Sequence, residues 1–279
     1  MRKKSLLICL LFVTFSLFGH EFWLQPAKYF YTIREIADIS FRVGENFTGE
    51  NWSGNREKIK MLAHIQPSGT SIDIADRVSL TKGDSIKLPL QQEGTHMILF
   101  NSTNSFIDLE PDKFKAYLEE DGLQEALAYR SKNGESLKNG KEYYQRSVKT
   151  IIQVGNERTD ACTEPTPLPL DIIPIENPYK PVGSRPSQDL PTMRFRILFK
   201  GKAIPNLLVR TWFRNENGQI AMETYRTNGR GFVAVKRHSG KFMVSTVYME
   251  RLNGDTKADW QSYWASVNFE YSSFFPVTK

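Results

Sequence analysis

Only two cysteines and four histidines occur among the 279 residues of this chain. Cys9 falls within an apolar opening run, so removal of that run leaves Cys162 alone. An internal disulfide and a cysteine-built zinc site are thereby excluded, and Cys162 reads as an inert thiol. No block of basic residues stands out. The full chain carries 37 basic and 31 acidic residues, a balance of +6. Without the first 19 residues, which hold Arg2, Lys3 and Lys4 and no acid, the balance is +3. That is not the footprint of a nucleic-acid binder. Beyond residue 19 no apolar run is long enough to span a bilayer. There is no internal repeat and no low-complexity tract. There is also no Gly-x-Ser-x-Gly elbow, no phosphate-binding loop and no His-Glu-x-x-His helix, so no catalytic set presents itself.

What is present begins with an export signal. Arg2, Lys3 and Lys4 precede an apolar run from Leu6 to Phe18, and Gly19 offers a small residue at the cut. Cleavage there makes His20 the first residue of the mature chain and places the product in the periplasm or cell envelope. His20 would then carry a free α-amine beside its imidazole. The amine, with a reference pKa of about 7.7–8.0, can lose its proton to a metal near neutral pH. Amine and Nδ1 of one histidine close a compact chelate, and one further imidazole completes a three-nitrogen arrangement suited to Cu(II) or Ni(II).

The rest divides by texture. Short strands are expected at Tyr29–Ile33, Asp38–Val43, Lys58–Gln66, Ile72–Leu80, Ser85–Leu90 and from Gly94 to Phe100. Alternation along the last puts His96, Ile98 and Phe100 on one face, with Met97 and Leu99 on the other. The period then changes. Pro111 opens a helix with Phe114, Tyr117 and Leu118 on one side, Gly122 interrupts it, and helix resumes to about residue 131. Tyr143–Val154 and Leu168–Ile173 return to strand. A proline-rich stretch at 177–191 reads as a linker. From Thr192 onward, strands recur at short spacing with Asn217-Gly218, Asn228-Gly229 and Ser239-Gly240 as turn signals. The expected organisation is a signal at 1–19, a β-rich domain at 20–176 with a helical insertion near 111–131, the linker, and an immunoglobulin-like sandwich at 192–279. The fold class is mainly β, with two β-sandwich-like modules.

Several stretches carry a family resemblance. They are His20-Glu21-Phe22-Trp23-Leu24, Phe41-Arg42-Val43-Gly44, Gly94-Thr95-His96, and the run Phe114-Lys115-Ala116-Tyr117-Leu118-Glu119-Glu120-Asp121-Gly122-Leu123. Tyr144-Gln145-Arg146-Ser147-Val148-Lys149, Leu168-Pro169-Leu170-Asp171-Ile172-Ile173-Pro174, Phe199-Lys200-Gly201-Lys202 and Asp259-Trp260-Gln261-Ser262-Tyr263-Trp264-Ala265-Ser266 continue in the same order. The chain resembles the bacterial exported family named domain of unknown function 4198, associated with periplasmic parts of nickel or cobalt uptake. The resemblance implies export, a β-rich fold and a metal role, with a membrane metal transporter as partner. It supplies no reaction. Tyr248 stands where some relatives carry histidine.

His20 and His96 are the metal ligands this sequence offers, for one divalent nickel, cobalt or copper ion. His96 is chosen because it follows a turn and starts a strand. His64 reads as a strand residue of the core and His238 as a solvated turn residue. Phe22, Trp23, Trp260, Tyr263 and Trp264 read as core packing. Asp108 and Glu110 read as capping, and Glu21 would point away from His20. The leading function is a metal-binding accessory protein. Two others stay open: a non-catalytic interaction or scaffold module of the envelope, and a copper oxidase with an N-terminal histidine.

Overall fold

A computed structural model describes residues 21–79, 82–180 and 192–271. The signal, His20 and most of the expected linker lie outside the described residues. In chain order the first strands are β1 (Glu21–Pro26), β2 (Phe30–Tyr31), β3 (Ile36–Glu45), β4 (Thr48–Asn51), β5 (Ile59–Ile65), β6 (Ser71–Asp73), β7 (Ser85–Pro89), β8 (Gly94–Ser102) and β9 (Ser105–Leu109). Two helices follow, α1 (Pro111–Glu120) and α2 (Gln124–Lys132). Then come β10 (Gly140–Val154), β11 (Leu170–Pro174), β12 (Met193–Phe199), β13 (Lys202–Ala203), β14 (Leu208–Arg214), β15 (Ile220–Arg226), β16 (Phe232–Val235), β17 (Gly240–Arg251) and β18 (Trp260–Tyr271). Strand makes up 52% and helix 12%, so the expected mainly β class is the observed one.

The strands build three layers. The middle layer is a ten-stranded sheet ordered β15-β14-β17-β18-β10-β8-β5-β6, with β2 and β9 also paired to β10. Against one face lies a four-stranded sheet, β1-β3-β4 with β7 on β3; against the other lies β11-β12-β13 with β16 on β12. The alternation of β8 shows how one strand serves two cores. Ile98 and Phe100 join Phe22, Leu24, Phe41 and Val148 on the side of β1, while Met97 and Leu99 join Ile197, Val209, Val244 and Val267 on the opposite side. Two β-sandwich cores therefore exist as expected, and they share the middle sheet.

That sharing changes how the domain division looks. The sequence reading puts a boundary at 177–191, yet the strands flanking it, β11 and β12, pair antiparallel from Leu170↔Phe199 to Pro174↔Phe195. More tellingly, β10 and β18 pair in parallel from Glu142↔Trp260 to Thr150↔Asn268. The two halves thus meet through the longest strands of the molecule. Parallel strands covered on both faces read as continuous apolar or mixed runs, and nothing local announces their partners.

The helical insertion sits where it was expected. Phe114, Tyr117 and Leu118 are buried against Val247, Met249 and Trp260. Helix α1 ends at Asp121, and Gly122 takes a φ of 65°. The Leu123 amide then donates to the Leu118 carbonyl at 2.8 Å, the glycine-stop geometry that satisfies free helix carbonyls. Gly140, at the start of β10, lies under Phe114: a Cβ there would come within 2.0 Å of the ring. Docking of α1 onto the middle sheet therefore needs a residue without a side chain at this place.

Candidate functional site

Strand β1 lies across β10 and β18, and side chains of β18 fix it there. Ser266 Oγ donates to the Phe22 carbonyl at 2.6 Å, and Asn268 Nδ2 donates to the Leu24 carbonyl at 2.8 Å. Phe22 stacks on Phe100 with centroids 4.8 Å apart and meets Trp52 edge-on at 5.5 Å. The Arg146 guanidinium covers it at 5.1 Å. The residue after His20 thus begins a strand that is anchored from its second residue on.

Glu21 opens β1 in a small cleft lined by Ser245, Thr246, Trp264 and Ser266. Burial raises its carboxyl pKa to about 8; Asp121 and Glu120 push it the same way, and Arg210 opposes them. Asp121 follows the last turn of α1 and is 6% exposed. Its pKa is raised to about 6, again by burial first, against the pull of Arg210. Arg210, on β14, donates to Asp121 Oδ1 and to the Glu120 carbonyl. The charges of Asp121 and Glu120, at the end of α1 that also carries the negative end of the helix dipole, thus act on the carboxyl of the first residue of β1. One guanidinium, that of Arg210, holds Asp121 and the end of α1.

A third buried carboxyl lies below. Glu142 Oε1 accepts from Tyr117 Oη at 3.3 Å and from Ser262 Oγ, while Oε2 has no hydrogen-bond partner. Trp264 Nε1 donates to Ser262 Oγ at 3.0 Å, and the Tyr117 and Trp264 rings stack 5.7 Å apart. Burial raises the Glu142 pKa to about 8, and Asp121 adds to the rise. Sequence inspection missed Asp121, Arg210 and Glu142 and set Glu21 aside. About 120 residues separate Glu142 from Ser262, and only the parallel β10–β18 register joins them.

His96 is elsewhere and is engaged. It is 1% exposed, with Nε2 2.9 Å from the Gln92 carbonyl and Nδ1 2.8 Å from His64 Nε2. Because a carbonyl can only accept, Nε2 of His96 carries the proton, so Nδ1 accepts from His64 Nε2–H. Burial holds both imidazoles below their ordinary range, His64 at about 4. They form a neutral, hydrogen-bonded core pair. Along β10, His96 faces Ile152, whereas Phe22 sits at the level of Val148, the partner of Ser266. Four residues at ~3.3 Å each put about 13 Å between the two levels. The structure does not bring His96 to the start of β1, and His20, the other expected ligand, lies outside the described residues.

The remaining candidates are structural. His238 Nε2 lies 3.2 Å from Glu223 Oε1, and its ring stacks on Phe213 at 3.8 Å, so it is held more firmly than a solvated turn residue. Cys162 is fully buried and its thiol is pushed up to about 12 by burial, in keeping with an inert role. Phe22, Trp23, Trp260 and Tyr263 are core residues. Among the described residues, no three His, Cys, Asp or Glu side chains gather into a metal-binding group. Nor is any helix among them long and apolar enough to cross a membrane.

No curated protein matches the chain. Solved structures align over most of it with little real likeness. The D0-D1 domain of intimin covers 89% of this chain and 97% of its own at 11% identity and a TM-score of 0.21. Dimeric latent PorU from Porphyromonas gingivalis covers 88% and 20% at 12% identity and 0.19. The chicken CNTN1 FN1–FN3 domains cover 90% and 69% at 8% identity and 0.19. Scores this low carry no argument about fold or function. The sequence itself is more specific: the profile described as domain of unknown function (DUF4198) matches residues 17–250, and the chain belongs to that family.

Proposed function

We propose that this chain is an exported, non-catalytic metal-binding accessory protein of the cell envelope, handling nickel, cobalt or copper for a membrane transporter, with its site at the start of β1. His20 remains the principal ligand, through the α-amine freed by cleavage after Gly19 and through Nδ1. The second partner changes. In place of His96, the carboxylates of Asp121 and Glu21 supply oxygen donors.

One observation carries this reading: the carboxyl of Glu21, the residue bonded to His20, feels the charges of Asp121 and Glu120, with Arg210 as counter-charge. Buried carboxyls that repel one another are stabilised either by protons or by a cation. A divalent ion bound there would displace those protons, so binding would strengthen with pH. Two nitrogens and one or two oxygens in a tetragonal set suit Ni(II) or Cu(II). Ser266 and Asn268 hold β1 in place beforehand, so little ordering is left for the metal to impose. Three of the stretches behind the family resemblance, at 20–24, 114–123 and 259–266, supply His20 and Glu21, Glu120 and Asp121, and Ser266.

The test is metal content after equilibration of the correctly processed protein with Ni(II), Co(II) and Cu(II), followed by dialysis. Stoichiometric retention is expected, with Asp121→Asn weakening binding at least about tenfold. A processed protein that retains none of the three overturns the proposal.

A further inference from the structure

A second, chemically different place lies on the outer face of the sheet that β1 belongs to. Trp23 and Gln25 of β1 stand opposite Arg42 and Ser40 of β3. The turn after β3 runs through Asn46 and Phe47 with φ of 51° and 54°, which tucks Phe47 against Trp23 at 5.5 Å. From the middle sheet, Arg214 of β14 and Lys241 of β17 are direct register partners and form the facing wall. Between the walls is a cleft of about 490 Å³, within the usual range for small-ligand sites.

The charges of this cleft are held in an unusual way. Arg214 Nη2 donates to the Phe47 carbonyl at 2.5 Å and to Thr48 Oγ1 at 3.1 Å. Arg42 donates to the Gly49 carbonyl and to Asn51 Oδ1. All four acceptors are neutral, so they aim the two guanidiniums without cancelling their charge. Arg214 Nε is buried and has no hydrogen-bond partner. Lys241 adds a third cation; Glu270, its direct partner across β17 and β18, is the carboxylate its charge acts on from outside the lining. Asp38 is the acid within the lining, and it belongs to the row beyond Gln25 and Ser40, away from Arg42. The aromatic floor is buried, so the walls offer donors and positive charge in place of a stacking surface.

We infer that this cleft binds a small polyanion through its oxygen atoms, a di- or tricarboxylate or a phosphate. Fixed guanidiniums match the planar fork of a carboxylate or the edge of a phosphate, and such charge-assisted bonds are about twice as strong as neutral ones. The site is independent of His20 and of any metal.

Calorimetric titration of the mature protein at low ionic strength with citrate, with inorganic phosphate and with glucose as the uncharged control tests this. Saturable binding of citrate or phosphate, absent for glucose and weakening as NaCl rises, is expected; the anion that binds tighter names the source. Arg214→Gln should weaken binding about tenfold or more. Lys241→Gln, which leaves the backbone pairing of β17 in place, should weaken it several-fold, and Asp38→Asn should strengthen it. Circular dichroism on each variant confirms that the sheets are intact. If neither anion binds, or if binding is unchanged in Lys241→Gln and in a folded Arg214→Gln, the cleft is not an anion site.

Discussion

The buried carboxyl of Glu142 permits a quantitative prediction about stability. Its ordinary pKa of 4.5 is raised to about 8 in the folded protein, by burial first. The residue is 2% exposed, so no discount for solvent screening applies. Unfolding releases the side chain to water, where it ionises at its ordinary value. Between about pH 4.5 and 8 the folded protein therefore holds one more proton at this position than the unfolded chain. Stability from this group is fully present below 4.5 and declines as pH rises, by about 1.4 kcal/mol per pH unit, reaching a total loss of about 5 kcal/mol near pH 8. Above that it is flat. Glu21 and Asp121 also have raised pKa values and add slopes of the same sign, so the isolating comparison is with Glu142→Gln. The amide fills the same space, can accept from Tyr117 and Ser262, and does not titrate. Urea denaturation followed by tryptophan fluorescence at a series of pH values gives both curves. The two proteins should be of similar stability near pH 4.5, and the variant should gain on the parent progressively toward pH 8. Parallel curves would refute the assignment of a neutral Glu142.

Two further outcomes follow from single contacts. Lys149 and Asp171 form a buried ion pair, 1% and 3% exposed, with Lys149 Nζ also donating to the Ile172 carbonyl at 3.1 Å. Lys149→Met should destabilise by about 3–5 kcal/mol in chemical denaturation by stranding Asp171, and Lys149→Met/Asp171→Asn should recover part of it. Cys162, buried with its thiol pushed up to about 12, should react with a thiol reagent only at the rate of opening. Immediate labelling of the native protein at neutral pH contradicts that.

Local structure was legible where periodicity and packing agree. The helix start at Pro111 and its interruption at Gly122 stand as read, and the two faces of β8 divide between two cores. Thr48–Asn51, with mostly exposed side chains, carries no apolar alternation and is a strand only by pairing with β3. Long-range assembly was not legible. The residues that bring β10 beside β18 carry no mark of each other, and register between remote strands is fixed by whole-face burial that no window of sequence contains. The same applies to the site. His96 in its turn-strand setting has the look of a ligand, but what occupies its nitrogens is His64, on a neighbouring strand, and Gln92, four residues back. Asp121 ends a helix, and its charge effect on Glu21 depends on where β1 begins.

The central claim is that the freed amine of His20 binds metal beside Glu21 and Asp121. Calorimetric titration with Ni(II) and Cu(II), comparing protein that begins at His20 with protein carrying one extra residue before it, tests this most directly. The extension keeps the imidazole and the carboxylates but turns the α-nitrogen of His20 into an amide and moves the free amine one residue away, which breaks the chelate of amine and Nδ1 on one residue. Tight one-to-one binding in the first form and a loss of at least about tenfold in the second is the result predicted. Equal binding by the two forms would show that the terminal amine is no ligand, and the proposed site would fall with it.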